Sequence, residues 1–278
     1  MQNNDWLRAE DFAEPRCLLC DEPYGAKPKP KTIPQQRVLA KFDEYTSRND
    51  YDGALRHMLY WLEEARLGGD LHGQFQIQNE LMGLYRKTAR KEEAFGSMDA
   101  ALSLAHELSI EEQTGGATAF LNAATVCSAF GENERSLQLF LHARKVYEAL
   151  LPPDDARMGG LYNNMALTLV SLGRYDEADS LFRRALEVMT GAPNGALEQA
   201  ITHLNMADAA YAQFGDGNED AIDAHLEAAL ALLEDETLPR NGYYAFVCEK
   251  CAPTFSAYGW VSYGEELRER ARMIYERA

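Results

Sequence analysis

Two pairs of cysteines are the residues of this chain best suited to chemistry. Cys17 and Cys20 lie in "PRCLLCDEPYG", and Cys248 and Cys251 lie in "FVCEKCAP". Four thiolates with this spacing can hold a tetrahedral zinc ion, and each pair alone can act as a redox dithiol. Whether the two pairs act together depends on the elements between them.

The charge of the chain excludes several classes of partner. The 278 residues include 44 acids and 27 Lys and Arg, a net charge of −17. Such a chain is repelled by phosphate backbones and by anionic lipid, so we expect no nucleic-acid or membrane partner. The acidic N-terminus lacks the pattern of a signal peptide, and no apolar stretch has the ~20 residues of a membrane span. We therefore expect a cytoplasmic protein.

No motif of an enzyme or of a cofactor site is present. The sequence lacks the glycine-rich phosphate-binding and dinucleotide-binding motifs, and it also lacks the zinc-protease and serine-hydrolase motifs. The six histidines are scattered singly. These observations predict a protein that is not an enzyme and that has no cofactor.

An internal repeat organises most of the chain. "NNMALTLVSLGRYDEADSLFRRALEVM" (163–189) aligns with "LNAATVCSAFGENERSLQLFLHARKVY" (121–147), and four further copies follow the same frame. A small residue recurs at one position of each copy, at intervals of 40 to 43 residues: Ala54, Ala94, Ser136, Ala178, Ala221 and Gly264. A constant period over six copies is typical of a solenoid.

Each copy has the pattern of two helices joined by a turn. Tyr162, Met165 and Leu169 share one face of a helix of period 3.6. Gly173 follows at a place where a positive φ ends a helix. One such hairpin cannot bury its own apolar face, so the units must stack. The pattern predicts an all-α solenoid of about six helix-turn-helix units.

The turn "LGRYDEA" (172–178) and the small–large pattern of the helices resemble tetratricopeptide repeats (TPR). The long period and the motifs "LNAA", "NNMA" and "LNMA" resemble the 42-residue repeats of kinesin light chains and of bacterial peptide-sensing regulators. The resemblance covers about residues 36–278. It implies a right-handed superhelix whose first helices line a concave groove, and a protein that binds other proteins there.

The resemblance also places candidate peptide-binding residues on the first helices. They are Asn79, Arg86, Lys87, Leu121, Asn122, Thr125, Asn163, Asn164, Leu167, Leu204, Asn205 and Asp208.

Asn122, Asn164 and Asn205 recur at one position of three consecutive units, about 10 Å apart at helix-packing distance. An Asn amide both donates and accepts, so each could pair with the main chain of an extended peptide. The alternative is that they bond the neighbouring helix and maintain the geometry between units. Arg86 and Lys87 resemble the basic part of a carboxylate clamp, with a solvated helix face as the alternative.

Residues 1–34 do not fit the repeat, which divides the chain into an N-terminal arm with a Pro/Lys linker (1–34) and a TPR solenoid (35–278). The arm could cap the first unit, lie in the concave groove as an internal ligand, or be disordered.

The repeat frame changes the meaning of the cysteines. Cys248 and Cys251 fall on core-facing positions, as does Cys127, and a buried cysteine behaves as a small hydrophobe. To reach them, Cys17 and Cys20 would have to cross about 50 Å of stacked helices. Residues 21–34 extend to only ~46–50 Å, so we predict no metal site. Pro253 is expected to kink or break the first helix of the last unit.

These observations favour a non-enzymatic scaffold that binds a peptide or a helical protein partner in its concave groove. The alternative is a peptide-responsive regulator whose superhelix tightens on the ligand. A third candidate is a zinc or thiol-redox protein that uses the two C-x-x-C motifs. We expect a monomer or a weak homodimer.

Overall fold

The computed structural model describes residues 31–277, which form twelve α-helices and no strand. They pair into six consecutive units, the first made of α1 and α2 and the sixth of α11 and α12. Their bounds are Gln35–Thr46 (α1), Tyr51–Leu67 (α2), Leu71–Lys87 (α3), Lys91–Glu107 (α4), Thr114–Ala129 (α5), Asn133–Leu150 (α6), Ala156–Ser171 (α7), Tyr175–Met189 (α8), Gly195–Phe214 (α9), Glu219–Leu233 (α10), Gly242–Ala257 (α11) and Val261–Tyr275 (α12). The predicted all-α superhelical solenoid of six units is confirmed.

The turn inside a unit depends on one left-handed residue. Gly131, Gly173 and Gly259 have φ values of 83°, 72° and 88°. Each lies just after the first helix of its unit and reverses the chain into the second. In the first two units Asn49 and Ala89 take the same role, with φ values of 58° and 57°. The positive φ expected for Gly173 is therefore observed, and Ala89 adopts it without the freedom of a glycine.

The recurring small residues allow the two helices of a unit to pack closely. Ala54, Ala94 and Ala178 are at most 1% exposed. A Cβ on Gly264 would lie 2.8 Å from the carbonyl oxygen of Ala252 on the facing helix. Ser136 is also fully buried, and its hydroxyl donates to the carbonyl of Ala124 at 2.8 Å. Small side chains at this position thus set the distance between the helices of each hairpin.

The expected break at Pro253 is not observed, because α11 runs without interruption from Gly242 to Ala257. Pro253 is exposed, whereas Cys248, Cys251 and Phe255 on the other side of the helix are at most 1% exposed. The buried side chains before and after the proline pack into one core. This packing offsets the loss of one helical hydrogen bond on the solvent side.

The core positions predicted for the cysteines are confirmed. Cys127, Cys248 and Cys251 are free thiols, at most 1% exposed. Burial raises the pKa of Cys127 to about 11 and that of Cys251 to about 12, which opposes thiolate chemistry. Cys17 and Cys20 lie outside the described residues.

The chain is already packed before the first helix begins at Gln35. The backbone N–H of Lys31 donates to the carbonyl of Gly68 at 2.9 Å. Ile33 is buried, and its N–H donates to the carboxylate of Asp70, which also caps the N-terminus of α3. Residues 31–34 therefore lie on the joint between the first and second units.

Candidate functional site: the concave groove

The first helices of the units form one continuous face. α3 contacts α5, and the same contact recurs between α5 and α7, α7 and α9, and α9 and α11. The series curves until its end meets its beginning. The ammonium group of Lys87 at the end of α3 lies 4.7 Å from the ring of Tyr51 in α2 and 5.3 Å from the ring of Phe246 in α11. We call the inner face formed by α3, α5, α7, α9 and α11 the concave groove.

Four of the predicted asparagines pair with each other across adjacent units. The amide of Asn122 donates to Asn79 at 3.1 Å, and the amide of Asn205 donates to Asn163 at 2.9 Å. The acceptors Asn79 and Asn163 are 8% and 7% exposed. These pairs join α3 to α5 and α7 to α9, which is the structural role given above as the alternative to peptide contact.

Asn164 is the exception among the recurring asparagines. It occupies the same repeat position as Asn122 and Asn205. The units that precede those two residues supply Asn79 and Asn163 as partners, whereas the unit that precedes Asn164 has Leu121 at the equivalent position. Within residues 31–277 the Asn164 side chain makes no hydrogen bond, and it is partly exposed. Its amide is therefore available to a ligand in the middle of the groove.

The neighbours of Asn164 are mainly apolar. Leu121 and Leu167 are partly exposed and pack on the central hydrophobic core. Thr125 donates its hydroxyl to the backbone carbonyl of Asn122 at 2.7 Å. The central part of the groove thus offers the unbonded amide of Asn164 together with aliphatic side chains.

Asp208 is held by the next unit. Tyr258 donates to its carboxylate at 3.0 Å, and Thr254 approaches the second oxygen at 3.5 Å. Burial raises the pKa of Asp208 in spite of these bonds. Asp208 therefore links α9 to α11, in the way that the asparagine pairs link earlier units.

Arg86 and Lys87 lie at the C-terminal end of α3, facing α11. Both are exposed to solvent, and desolvation by the surrounding protein lowers the pKa of Arg86. Desolvation also lowers the pKa of Lys250 in α11; the carboxylate of Glu198 opposes this shift, and the positive charge of Arg86 adds to it. The contact of Lys87 with Phe246 brings the end of α3 in the second unit against α11 of the sixth.

Lys250 and Phe246 were not among the residues predicted from the sequence. The repeat frame could have indicated Lys250, because Lys250 precedes Gly264 by the same number of residues as Asn164 precedes Ala178. Lys250 therefore replaces the recurring asparagine in the last unit. Nothing in the frame indicated that Phe246 would meet the second unit, because that contact depends on the curvature of the whole array.

His203 of α9 packs against His225 of α10. Its Nδ1 lies 3.1 Å from Nδ1 of His225, and both rings are partly buried. Desolvation lowers the pKa of both imidazoles, and His225 adds to the effect on His203.

Within the described residues no group of three or more metal-binding side chains is present, and no helix is long and apolar enough to cross a membrane.

Comparison with known proteins supports the repeat assignment. Residues 157–235 match the model of the tetratricopeptide repeat family. No curated protein matches the chain.

Solved structures share the fold at low identity. A putative kinesin light chain with nearly identical TPR-like repeats from Podosopora anserina is 16% identical, with a TM-score of 0.51, over 73% of this chain and 96% of that one. A variant of the same protein gives 16% identity and a TM-score of 0.52 over 73% and 95%. The similarity to BtubC (BKLC) from P. vanneervenii has a lower TM-score of 0.49, with 17% identity over 88% of this chain and 92% of that one.

Proposed function

We propose that this chain, whose residues 157–235 match the tetratricopeptide repeat family, is a non-enzymatic scaffold that binds a peptide or a helical protein partner in its concave groove. Proteins of this fold generally serve as interaction scaffolds. The observation that supports a ligand in this groove is the Asn164 amide, which has no partner among the described residues although the equivalent asparagines have one.

The surroundings of Asn164 suit a peptide. Its amide can donate to a peptide carbonyl and accept from a peptide N–H at the same time. Leu121 and Leu167 offer aliphatic surface on either side for an apolar side chain of the ligand. Asn122 and Asn205 each direct one amide N–H to the preceding unit, so Asn164 is the one of the three asparagines whose whole amide is unbonded within residues 31–277.

The test begins with a selection of peptides that bind the full-length chain, from a displayed library. Asn164→Ala should weaken the selected peptides about tenfold, the value of one or two hydrogen bonds of ~1 kcal/mol each. Gln138→Ala is the matched control, since this exposed amide lies on α6, outside the groove. Equal affinities of the wild type and the Asn164 variant for every selected peptide would exclude the groove centre as the binding site.

A second candidate function is a peptide-responsive regulator whose superhelix tightens on its ligand. The contact between Lys87 and Phe246 favours it, because a change in curvature alters the distance between these units directly. Spin labels introduced as unnatural amino acids at Tyr60 and Met273, both exposed, would report that distance. A shorter distance with bound peptide supports the regulator, and an unchanged distance supports the simple scaffold.

Three further parts of the proposal stay predictions. They are a cytoplasmic location, a monomeric or weakly dimeric state, and the absence of nucleic-acid and membrane partners. The role of residues 1–30, which include Cys17 and Cys20, also stays open because they lie outside the described residues.

A further inference from the structure

The fifth unit departs from the regular form of its neighbours. Its first helix, α9, has 20 residues, whereas α5, α7 and α11 have 16 each. A short 3₁₀-helix, Gly215–Asn218, follows before α10 begins. The end of α9 carries two exposed aromatic side chains, Tyr211 at 48% and Phe214 at 57%. The longer helix therefore adds aromatic surface to the edge of the solenoid where the turns within the units lie.

The units on both sides hold this end of α9 in place. The hydroxyl of Tyr175 at the start of α8 donates to the carbonyl of Ala212 at 3.1 Å. On the other side, the ring of Tyr258, directly after α11, packs edge to face with the ring of Tyr211, with centroids 5.9 Å apart. Tyr258 is itself fixed, because its hydroxyl donates to Asp208 at 3.0 Å. The two rings are therefore positioned before any ligand binds.

A pocket of about 340 Å³ lies beside the two rings, between the fifth and sixth units. It is lined by the two rings, the buried side chain of Ile222 and two carboxylates, those of Glu219 and Asp223. Both carboxylates are exposed, and neither makes an ion pair within 4.0 Å in the part of the chain that the structure describes. This volume is near the lower end of the range for ligand pockets, so it suits one side chain rather than a cofactor.

The charge around the pocket is negative and is not compensated locally. Residues 185–239, which include α9 and α10, contain eleven acids and no Lys or Arg. On α8, by contrast, Glu177 and Asp179 each pair with a nearby arginine. Burial and the charge of Asp208 raise the pKa of Tyr258, and no Lys or Arg among residues 31–277 opposes this shift. Charge complementarity therefore favours a cationic occupant of the pocket.

The recurrence of the acids shows which of them needs a ligand to explain it. Acids also occur at the repeat position of Glu219 in other units, as Glu92 in α4 and Glu134 in α6, where they stabilise the start of a helix. Asp223 has no such counterpart, because α4 has a glycine and α6 a glutamine at the equivalent position. The helix start thus explains Glu219 but not Asp223, which lines the pocket together with the two rings.

The pocket combines three features that suit the side chain of lysine or arginine. The face of a tyrosine ring attracts a cation, and more strongly where the cation is desolvated. Carboxylates accept charge-assisted hydrogen bonds from an ammonium group, and paired ones from a guanidinium. The apolar surface of Ile222 suits the methylene groups that precede the charge in both side chains.

We propose that this pocket binds the cationic side chain of a lysine or arginine from a protein partner, so that the fifth and sixth units form a second interaction surface outside the concave groove. The charged group lies against the rings of Tyr211 and Tyr258 and donates to Glu219 and Asp223. The partner therefore presents a basic segment to the acidic fifth unit. This inference does not depend on the proposed function, since Asn164 and the centre of the groove take no part in it.

The test uses an array of nonapeptides made in matched triplets that differ only in the central residue, which is Arg, Lys or citrulline. Citrulline is the neutral analogue of arginine and has nearly the same shape. The flanking residues are uncharged and varied, and both ends are blocked, so the central side chain carries the only charge. The fluorescently labelled full-length protein is applied at low salt, and dissociation constants of the binders are then measured in solution.

We expect the Arg or Lys member of each binding triplet to bind about tenfold more tightly than the citrulline member at low salt, with a smaller ratio at high salt. Tyr211→Leu and Asp223→Asn should each bring the ratio close to one, whereas Tyr211→Phe keeps the ring and should retain most of it. Glu219→Gln should lower the ratio. Glu92→Gln is its matched control, because Glu92 is an exposed acid at the same repeat position in α4. Circular dichroism and thermal unfolding confirm that each variant is folded.

The outcomes also separate this inference from the proposed function. Equal binding of the three members of every triplet, or no binding by any of them, would overturn the cation site. A preference for the charged members that survives both Tyr211→Leu and Asp223→Asn would overturn it as well. Asn164→Ala should leave the preference unchanged. If this variant abolishes it instead, the cation binds in the concave groove, and the second surface is wrong while the proposed function stands.

Discussion

The pair formed by Asn163 and Asn205 gives the sharpest test of how the units are held together. Asn163 is 7% exposed, and its carbonyl oxygen accepts from the Asn205 amide at 2.9 Å. Asn205→Ala removes the donor and leaves a buried acceptor without its partner. This loss costs about 1–3 kcal/mol of unfolding free energy, more than the ~1 kcal/mol net value of the bond itself.

The repeat supplies a matched control for this change. Asn164 has the same position in the preceding unit, and its side chain makes no hydrogen bond within residues 31–277. Asn164→Ala should therefore change stability by less than about 0.5 kcal/mol. Urea unfolding, followed by far-ultraviolet circular dichroism and by tryptophan fluorescence, measures both variants; coincident transitions establish that the two-state treatment applies.

A third variant tests the pair directly. Asn163→Leu gives the fourth unit the leucine that the third unit has at the equivalent position, Leu121. It replaces the buried acceptor with an apolar side chain. Combined with Asn205→Ala, it should cost less than the sum of the two single changes, with a coupling of about 1 kcal/mol. If Asn205→Ala and Asn164→Ala cost the same, or if the double variant is additive, the asparagine pairs do not hold the units together.

Three further predictions concern backbone, packing and protonation. Ala89 has a positive φ, so Ala89→Gly should stabilise the protein by about 1 kcal/mol in the same urea assay, and no gain would mean that this turn is unstrained. Gly264→Ala should destabilise the protein by about 2 kcal/mol or more, since the new methyl group would lie 2.8 Å from a backbone carbonyl oxygen. Gly96→Ala, which has open space around it, is the control and should stabilise α4 by about 0.5–1 kcal/mol. The reverse order of the two variants would contradict the close packing of the last hairpin. The pKa of His203 is lowered in the folded state, so the unfolded chain binds more protons, and the unfolding free energy should fall as the pH decreases through and below 6.5. His203→Gln should flatten this pH dependence. An unchanged slope would show that the pairing with His225 does not oppose protonation.

Features that depend on local spacing were predictable from the sequence. Gly173 and Ala178 fix a turn and a close helix contact within one unit, and both have the conformations that their positions predict. The burial of Cys248 and Cys251 followed from the same frame. Pro253 was predicted wrongly, because a rule about an isolated helix does not include the core packing that supports α11 on both sides of the proline.

The sequence by itself determined the unit of this protein: a hairpin of two helices, its turn, its small contact residue and its sixfold recurrence. These features depend on contacts between residues that lie within about 40 positions of each other, a distance that matches the period of the repeat. The tertiary structure decided which asparagines are paired, because a hydrogen bond between units depends on the residue that the neighbouring helix presents. It also decided that Lys87 meets Phe246. This contact arises because the small rotation between successive units accumulates over the whole array, and no single repeat contains that sum.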